Sequence, residues 1–208
     1  CFATCLSGCQ SQWSMIALHP ASAARTKSFL PPVKRYTINS LSRCMDQGSG
    51  SLNAEGEFPV MKFRPNVAAI VRNSEGKILI CQRLDIAGAW QFPQGGVEPG
   101  ETHEEALERE LEEELSLKPV DYEVIERKGP YRYLLGHGRT KKGCHGQEQY
   151  YFLVELRGPD SRIDVKTEHQ EFRAFRWIQS QQFDLDWLPA MKREVYRAVL
   201  HDFFGVTV

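Results

Sequence analysis

Glutamates crowd the stretch from Thr102 to Leu115, and their spacing sorts them into two sets. At about 100° per residue, Leu107, Leu111 and Leu115 share one arc of a helix and must face a core. Glu110, Glu113 and Glu114 fall on the neighbouring arc, while Glu105, Glu108 and Glu112 point largely away. Carboxylates grouped beside a buried face repel one another and lose hydration unless a positive charge sits among them. A hard divalent cation such as Mg²⁺ or Mn²⁺ answers that need. It takes oxygen ligands and commonly joins a few carboxylates to the phosphates of a substrate. Taken alone, such a helix reads more readily as a solvated acidic face, so the segment that precedes it has to decide.

That segment also fixes where the helix starts. Thr102 followed by Glu105 has capping-box spacing, which predicts a helix from His103 to about Leu115. Upstream, the β-prone runs Val67–Val71 and Lys77–Cys81 flank the turn residues 73–76 and predict a hairpin. A loop rich in Gly and aromatic residues, 88–100, leads into the helix. Further strands are expected near 122–126, 149–156 and 172–178. A closing helix should begin at Pro189, with Met191, Val195, Tyr196, Val199, Leu200 and Phe203 on its buried side. Strands mixed with two helices imply a sheet covered by helices.

Gly95-Gly96-Val97-Glu98-Pro99-Gly100-Glu101 runs into Arg109-Glu110-Leu111-Glu112-Glu113-Glu114-Leu115-Ser116-Leu117, and this resembles the Nudix box of nucleoside diphosphate hydrolases. Gly95, Glu101, Arg109, Glu110, Leu111, Glu113, Glu114 and Leu117 fit the pattern. Ser116 departs from it, standing where the box has a Gly that eases a left-handed turn. The resemblance implies an α/β fold, the Nudix α/β/α sandwich with a mixed β-sheet. It implies Mg²⁺ or Mn²⁺ held chiefly by Glu110, Glu113 and Glu114, with Glu101 paired to Arg109 and Gly95 and Gly96 supporting the junction of loop and helix. The implied chemistry is attack of metal-activated water on phosphorus.

Likeness to one subgroup extends over most of 63–204. Phe63-Arg64-Pro65-Asn66-Val67, Trp90-Gln91-Phe92-Pro93-Gln94-Gly95-Gly96, Gly146-Gln147-Glu148-Gln149, Glu171-Phe172, Arg176-Trp177 and Lys192-Arg193-Glu194-Val195-Tyr196-Arg197 are similar to bacterial RNA pyrophosphohydrolases and related dinucleoside polyphosphate hydrolases. The implied substrate is the 5′ end of an RNA or a dinucleoside polyphosphate. By this resemblance Glu171 supplies a further carboxylate, with Glu168 in reserve. Glu110 is a metal ligand and a possible general base, and Arg64, Arg83 and Lys192 contact phosphate. Tyr131, Arg132, Tyr133, Arg139, Lys141 and Lys142 mix aromatic and basic residues in a Gly-containing loop, so bases could stack there while cations follow a strand. Equally, the tyrosines could be core and the lysines solvated. Trp90 and Trp177 read as packing residues, and His103, His137, His145 and His169 lack ligand spacing.

Composition bounds the rest. The 208 residues carry a formal net charge of −1, so phosphate binding must come from local patches. No apolar run approaches the ~18 residues of a membrane span, and no obligate protein partner is evident. Cys1, Cys5, Cys9 and Cys44 lie in an acid-free, Ser-rich, basic leader. With only Cys81 and Cys144 beyond it, they form no disulfide framework. The leader fits an organelle transit peptide or upstream sequence translated in error, with Met45 or Met61 as the start. Residues 1–60 are therefore read as leader and linker, and 61–208 as the hydrolase domain. Its location follows: cytoplasmic, or a chloroplast or mitochondrion if the leader targets it.

Overall fold

Val67 to Val71 are all buried, so the first strand has to run through the interior of the sheet with both faces covered. The structure, a computed structural model, describes residues 61–208 except His137; the expectations for residues 1–60 and for His137 lie outside the described residues. Strand β1 (Phe63–Arg72) lies beside β6 (Gly146–Leu156) in parallel register, from Phe63↔Gly146 to Arg72↔Glu155. The central path is completed by β2 (Ile78–Arg83), β3 (Trp90–Gln91) and β5 (Tyr122–Leu134) in the order β3-β2-β1-β6-β5. β4 (Gln94–Gly96) pairs with β1, and β7 (Phe172–Ile178) pairs with β2. These elements belong to one unit, Ser51–Val208.

Alternate residues of a strand point to opposite faces. Val67, Ala69 and Val71 pack with Leu79, Cys81, Phe152 and helix α1 (His103–Leu115). Ala68 and Ile70 pack with Ile78, Ile80, Tyr151 and helix α2 (Ala190–Phe204). A mixed sheet between two helical layers results, as the resemblance implied. Leu107, Leu111 and Leu115 are wholly buried on the first side, each contributing about 1.5–3 kcal/mol through burial.

Helix α1 has the bounds its sequence predicts. Thr102 Oγ1 accepts from the Glu105 amide at 3.1 Å, and the Glu105 carboxylate accepts from the Thr102 amide at 2.8 Å. Ser116 ends the helix in the left-handed region, at φ 59°.

Three expectations about the strands need correction. The turn at 73–76 forms, with Asn73 Oδ1 accepting from the amides of Glu75 and Lys77, but the hairpin ladder stops at Arg72↔Ile78. Beyond it β4 takes the edge of β1, from Asn66↔Gly96 to Ala68↔Gln94, while β2 turns to β3 and β7. The expected loop 88–100 therefore contains two short strands. Finally, Tyr131–Tyr133 belong to the long strand β5, not to a loop.

Helix α2 starts one residue late, with Pro189 at its N-cap. Met191 is partly exposed, and Lys192 is buried in its place beside Val195, Tyr196, Val199 and Leu200.

Candidate active site

The β4–α1 junction is built around absent side chains. A Cβ on Gly95 would overlap the carboxyl of Glu110, and one on Gly96 would overlap the guanidinium of Arg64. The strand thus admits an acid and a base from opposite sides. Arg109 ties this strand to the helix. Its Nε and Nη2 donate to the two oxygens of Glu101 at 2.9 and 3.0 Å, Nη2 also donates to the Gly96 carbonyl at 2.9 Å, and Nη1 donates to Glu110 Oε1 at 2.7 Å.

Glu110, Glu114 and Glu171 converge although they come from two elements. Glu114 is 3% exposed. Its Oε2 accepts from the Gln94 amide at 2.9 Å, while its buried Oε1 has no hydrogen-bond partner. Burial, then the charges of Glu110 and Glu171, push its pKa well above the carboxylate range, and the Glu171 carboxyl comes within proton-sharing reach. Burial also raises the Glu110 pKa, against the pull of Arg109. Glu171, just before β7, is held by its carbonyl, which accepts from the Leu84 amide at 2.9 Å. Glu168 enters none of these interactions. Glu113 lies at the margin, 3.4 Å from Arg109 Nη1 and largely exposed.

An orphaned buried oxygen, mutually repelling carboxylates and a glycine floor under one of them fit a hard divalent cation. Among the described residues no three Asp, Glu, His or Cys donors form a ready-made metal cage. The Arg109 guanidinium holds Oε1 of Glu110, which leaves Oε2 for a cation.

Cations border the acids. Lys192 Nζ donates to Gln91 Oε1 at 3.3 Å in a buried setting. Burial, then the neighbouring charges of Arg83 and Lys141, bring its pKa down to about 7. Arg83 is held by Asp85, with Nε donating to Oδ1 at 2.7 Å, and it also feels the charge of Glu171. The Arg64 side chain has no hydrogen-bond or ion-pair partner among the described residues. Lys141, on the turn joining β5 to β6, lies near both Asp85 and Lys192.

Of the aromatic and basic stretch, Lys141 and Tyr133 are brought to this cluster, the Tyr133 ring centroid 6.0 Å from Lys192 Nζ. Tyr133 is buried and donates to Gln147, and Tyr131 donates to Asp202 Oδ2 at 2.8 Å. Tyr133 is a core residue and Tyr131 packs half-buried against Tyr151, which favours the packing reading of this pair. Arg132 pairs with Glu148. The Arg176 guanidinium lies over Trp90 and Trp187, at 4.2 and 4.7 Å from the ring centroids. Trp177 Nε1 donates to Asp160 Oδ2 at 2.8 Å.

Sequence reasoning gave no role to Asp85, Gln91, Asn66 or Gln149. A signal existed for the last. Gln147 and Gln149 interrupt the apolar pattern of β6 at buried positions, and polar groups there need specific partners.

Residues 62–203 match the model of the NUDIX domain. The chain is 42% identical over 147 residues to an RNA pyrophosphohydrolase of Marinomonas sp. (strain MWYL1), covering 67% of this chain and 89% of that protein. It is 40% identical over 146 residues to an RNA pyrophosphohydrolase of Cellvibrio japonicus (strain Ueda107), covering 67% and 85%. It is also similar to the crystal structure of a C. elegans Ap4A hydrolase binary complex, with a TM-score of 0.50 and 21% identity over 68% of this chain and 98% of that one. At that identity the likeness speaks for the fold alone.

Proposed function

The chain belongs to the NUDIX family, and from that premise we propose that it hydrolyses the 5′-triphosphate end of RNA, releasing pyrophosphate and leaving a 5′-monophosphate. The observation that carries this reading is the pair of cations Arg83 and Lys192 beside the carboxylates Glu110, Glu114 and Glu171, with the Arg64 guanidinium on the other side of β4. Such a site accepts a polyanion and has acids at the phosphorus. RNA pyrophosphohydrolases at about 40% identity support the choice of substrate.

Glu110, Glu113, Glu114 and Glu171 would hold Mg²⁺ or Mn²⁺. The bound ion supplies an activated water and neutralises charge on the phosphate chain. Glu110 is the candidate base. Burial raises its affinity for a proton above that of an ordinary carboxylate, and Arg109, fixed by Glu101, orients it. Lys192 and Arg83 grip the phosphates. The Arg83 fork donates to Asp85 through Nε and Nη2, which leaves Nη1 for a phosphate oxygen.

A second reading, asymmetric hydrolysis of diadenosine tetraphosphate to ATP and AMP, rests on the same cations, because they address phosphates rather than what the phosphates carry.

The test is product analysis with the full chain and Mg²⁺, offering 5′-triphosphorylated RNA and diadenosine tetraphosphate separately beside a Glu114→Gln control. Pyrophosphate from RNA, lost in the control, is expected. ATP and AMP from the dinucleotide with RNA untouched would transfer the assignment to the second reading.

A further inference from the structure

A fully buried amide on β6 reaches across to β4. Gln149 is 0% exposed. Its Oε1 accepts from the Tyr151 hydroxyl at 2.9 Å, and its Nε2 donates to Asn66 Oδ1 at 2.8 Å and to Gln94 Oε1 at 3.2 Å. Both N–H bonds of the amide are thereby used, in two directions that an apolar side chain could not serve. Asn66 is itself buried, so losing this partner would strand its carbonyl.

The importance of that tie follows from β4. The strand is three residues long and its backbone ladder is with β1 alone. Yet it meets two of the acids: the Gln94 amide donates to Glu114 Oε2 at 2.9 Å, and Gly95 forms the floor under the Glu110 carboxyl. A small shift of β4 would move the donor of one acid and press against the other. Among the described residues, the hydrogen bond from Gln149 is the side-chain tie that joins this strand to β6.

We propose that Gln149 is a positioning residue that acts through Gln94, locking β4 so that Glu110 and Glu114 are held in the arrangement that receives a divalent cation. The proposal rests on the reading of those glutamates as metal ligands. Groups that orient ligands commonly matter roughly 10–100-fold for metal affinity.

Two variants of the full chain test it, Gln149→Met and Gln94→Met, with their double combination. Mn²⁺ binding is followed by electron paramagnetic resonance and folding by thermal unfolding. Each single variant is expected to raise the half-saturating Mn²⁺ concentration roughly ten-fold or more, and the double variant should be no worse than Gln149→Met alone. Folded variants with lowered melting temperature and unchanged Mn²⁺ binding would assign Gln149 a purely structural role and overturn the proposal. If Gln149→Met does not fold, Gln94→Met decides, since it leaves the buried amide in place. Wild-type protein that takes up no Mn²⁺ would instead overturn the metal reading, and this proposal with it.

Discussion

Nη1 of Arg109 lies 2.7 Å from Oε1 of Glu110, on a guanidinium whose remaining nitrogens are held by Glu101 and the Gly96 carbonyl. The base candidate is thus oriented by a cation that cannot itself rotate. Glu101→Gln should loosen this fork without touching Glu110. The expected outcome is a fall in kcat of roughly ten-fold or more with little change in KM, and about 1–2 kcal/mol less stability. Steady-state kinetics and denaturant unfolding check both.

Gly95→Ala inserts a methyl where the Glu110 carboxyl stands. The Glu110 side chain must move, and displacement of a reacting group by about 1 Å can cost ~100-fold. Activity should fall by about that factor while circular dichroism still reports a folded protein. Full activity in this variant would mean that Glu110 has no part in the reaction.

Glu114 and Glu110 have pKa values raised by burial, so without metal each favours the folded state below its ordinary pKa of 4.5, and that contribution is lost as pH rises through the raised value. Metal-free protein should therefore lose stability relative to Glu114→Gln as pH climbs above about 4.5. Added Mg²⁺ needs the ionised acids, so its stabilising effect should grow over the same range. Melting curves of both proteins across pH, with Mg²⁺ and with a chelator, measure this.

Lys192 has a pKa brought down to about 7, and a phosphate beside it favours the charged ammonium. Substrate binding above that pH should then take up a proton, and KM should rise with pH by at most about ten-fold per unit. Lys192→Arg, permanently charged, should show a flat KM over this window. Calorimetry at about pH 8 in buffers of different ionisation enthalpy counts the proton directly; no uptake in wild type would remove Lys192 from the phosphate contacts.

Ser116 sits at φ 59°, where a side chain costs about 1–2 kcal/mol and glycine does not. Its hydroxyl makes only a 3.4 Å contact to the Asp164 carbonyl in return. Ser116→Gly should stabilise the protein by about 0.5–1 kcal/mol, read as a higher melting temperature, with metal-dependent turnover unchanged.

The sequence by itself determined what depends on neighbours along the chain. The bounds of α1 follow from Thr102 and Glu105, its buried face from Leu107, Leu111 and Leu115, and the Glu101–Arg109 pair from box spacing; all are contacts within about two helical turns. The turn at 73–76 was legible for the same reason. Tertiary structure alone decided the partners of β1, because a strand with both faces buried carries no alternation to announce its neighbours, and β4 displaced β2 along its edge. It also decided which cation lies inside. Helical periodicity placed Met191 in the core, but the last polar wall of the site needed an ammonium beside Gln91, and Lys192 is turned inward there. Glu171 meets Glu114 only because the Leu84 amide holds the start of β7 against the end of β2, a pairing between residues far apart in sequence that local pattern does not encode.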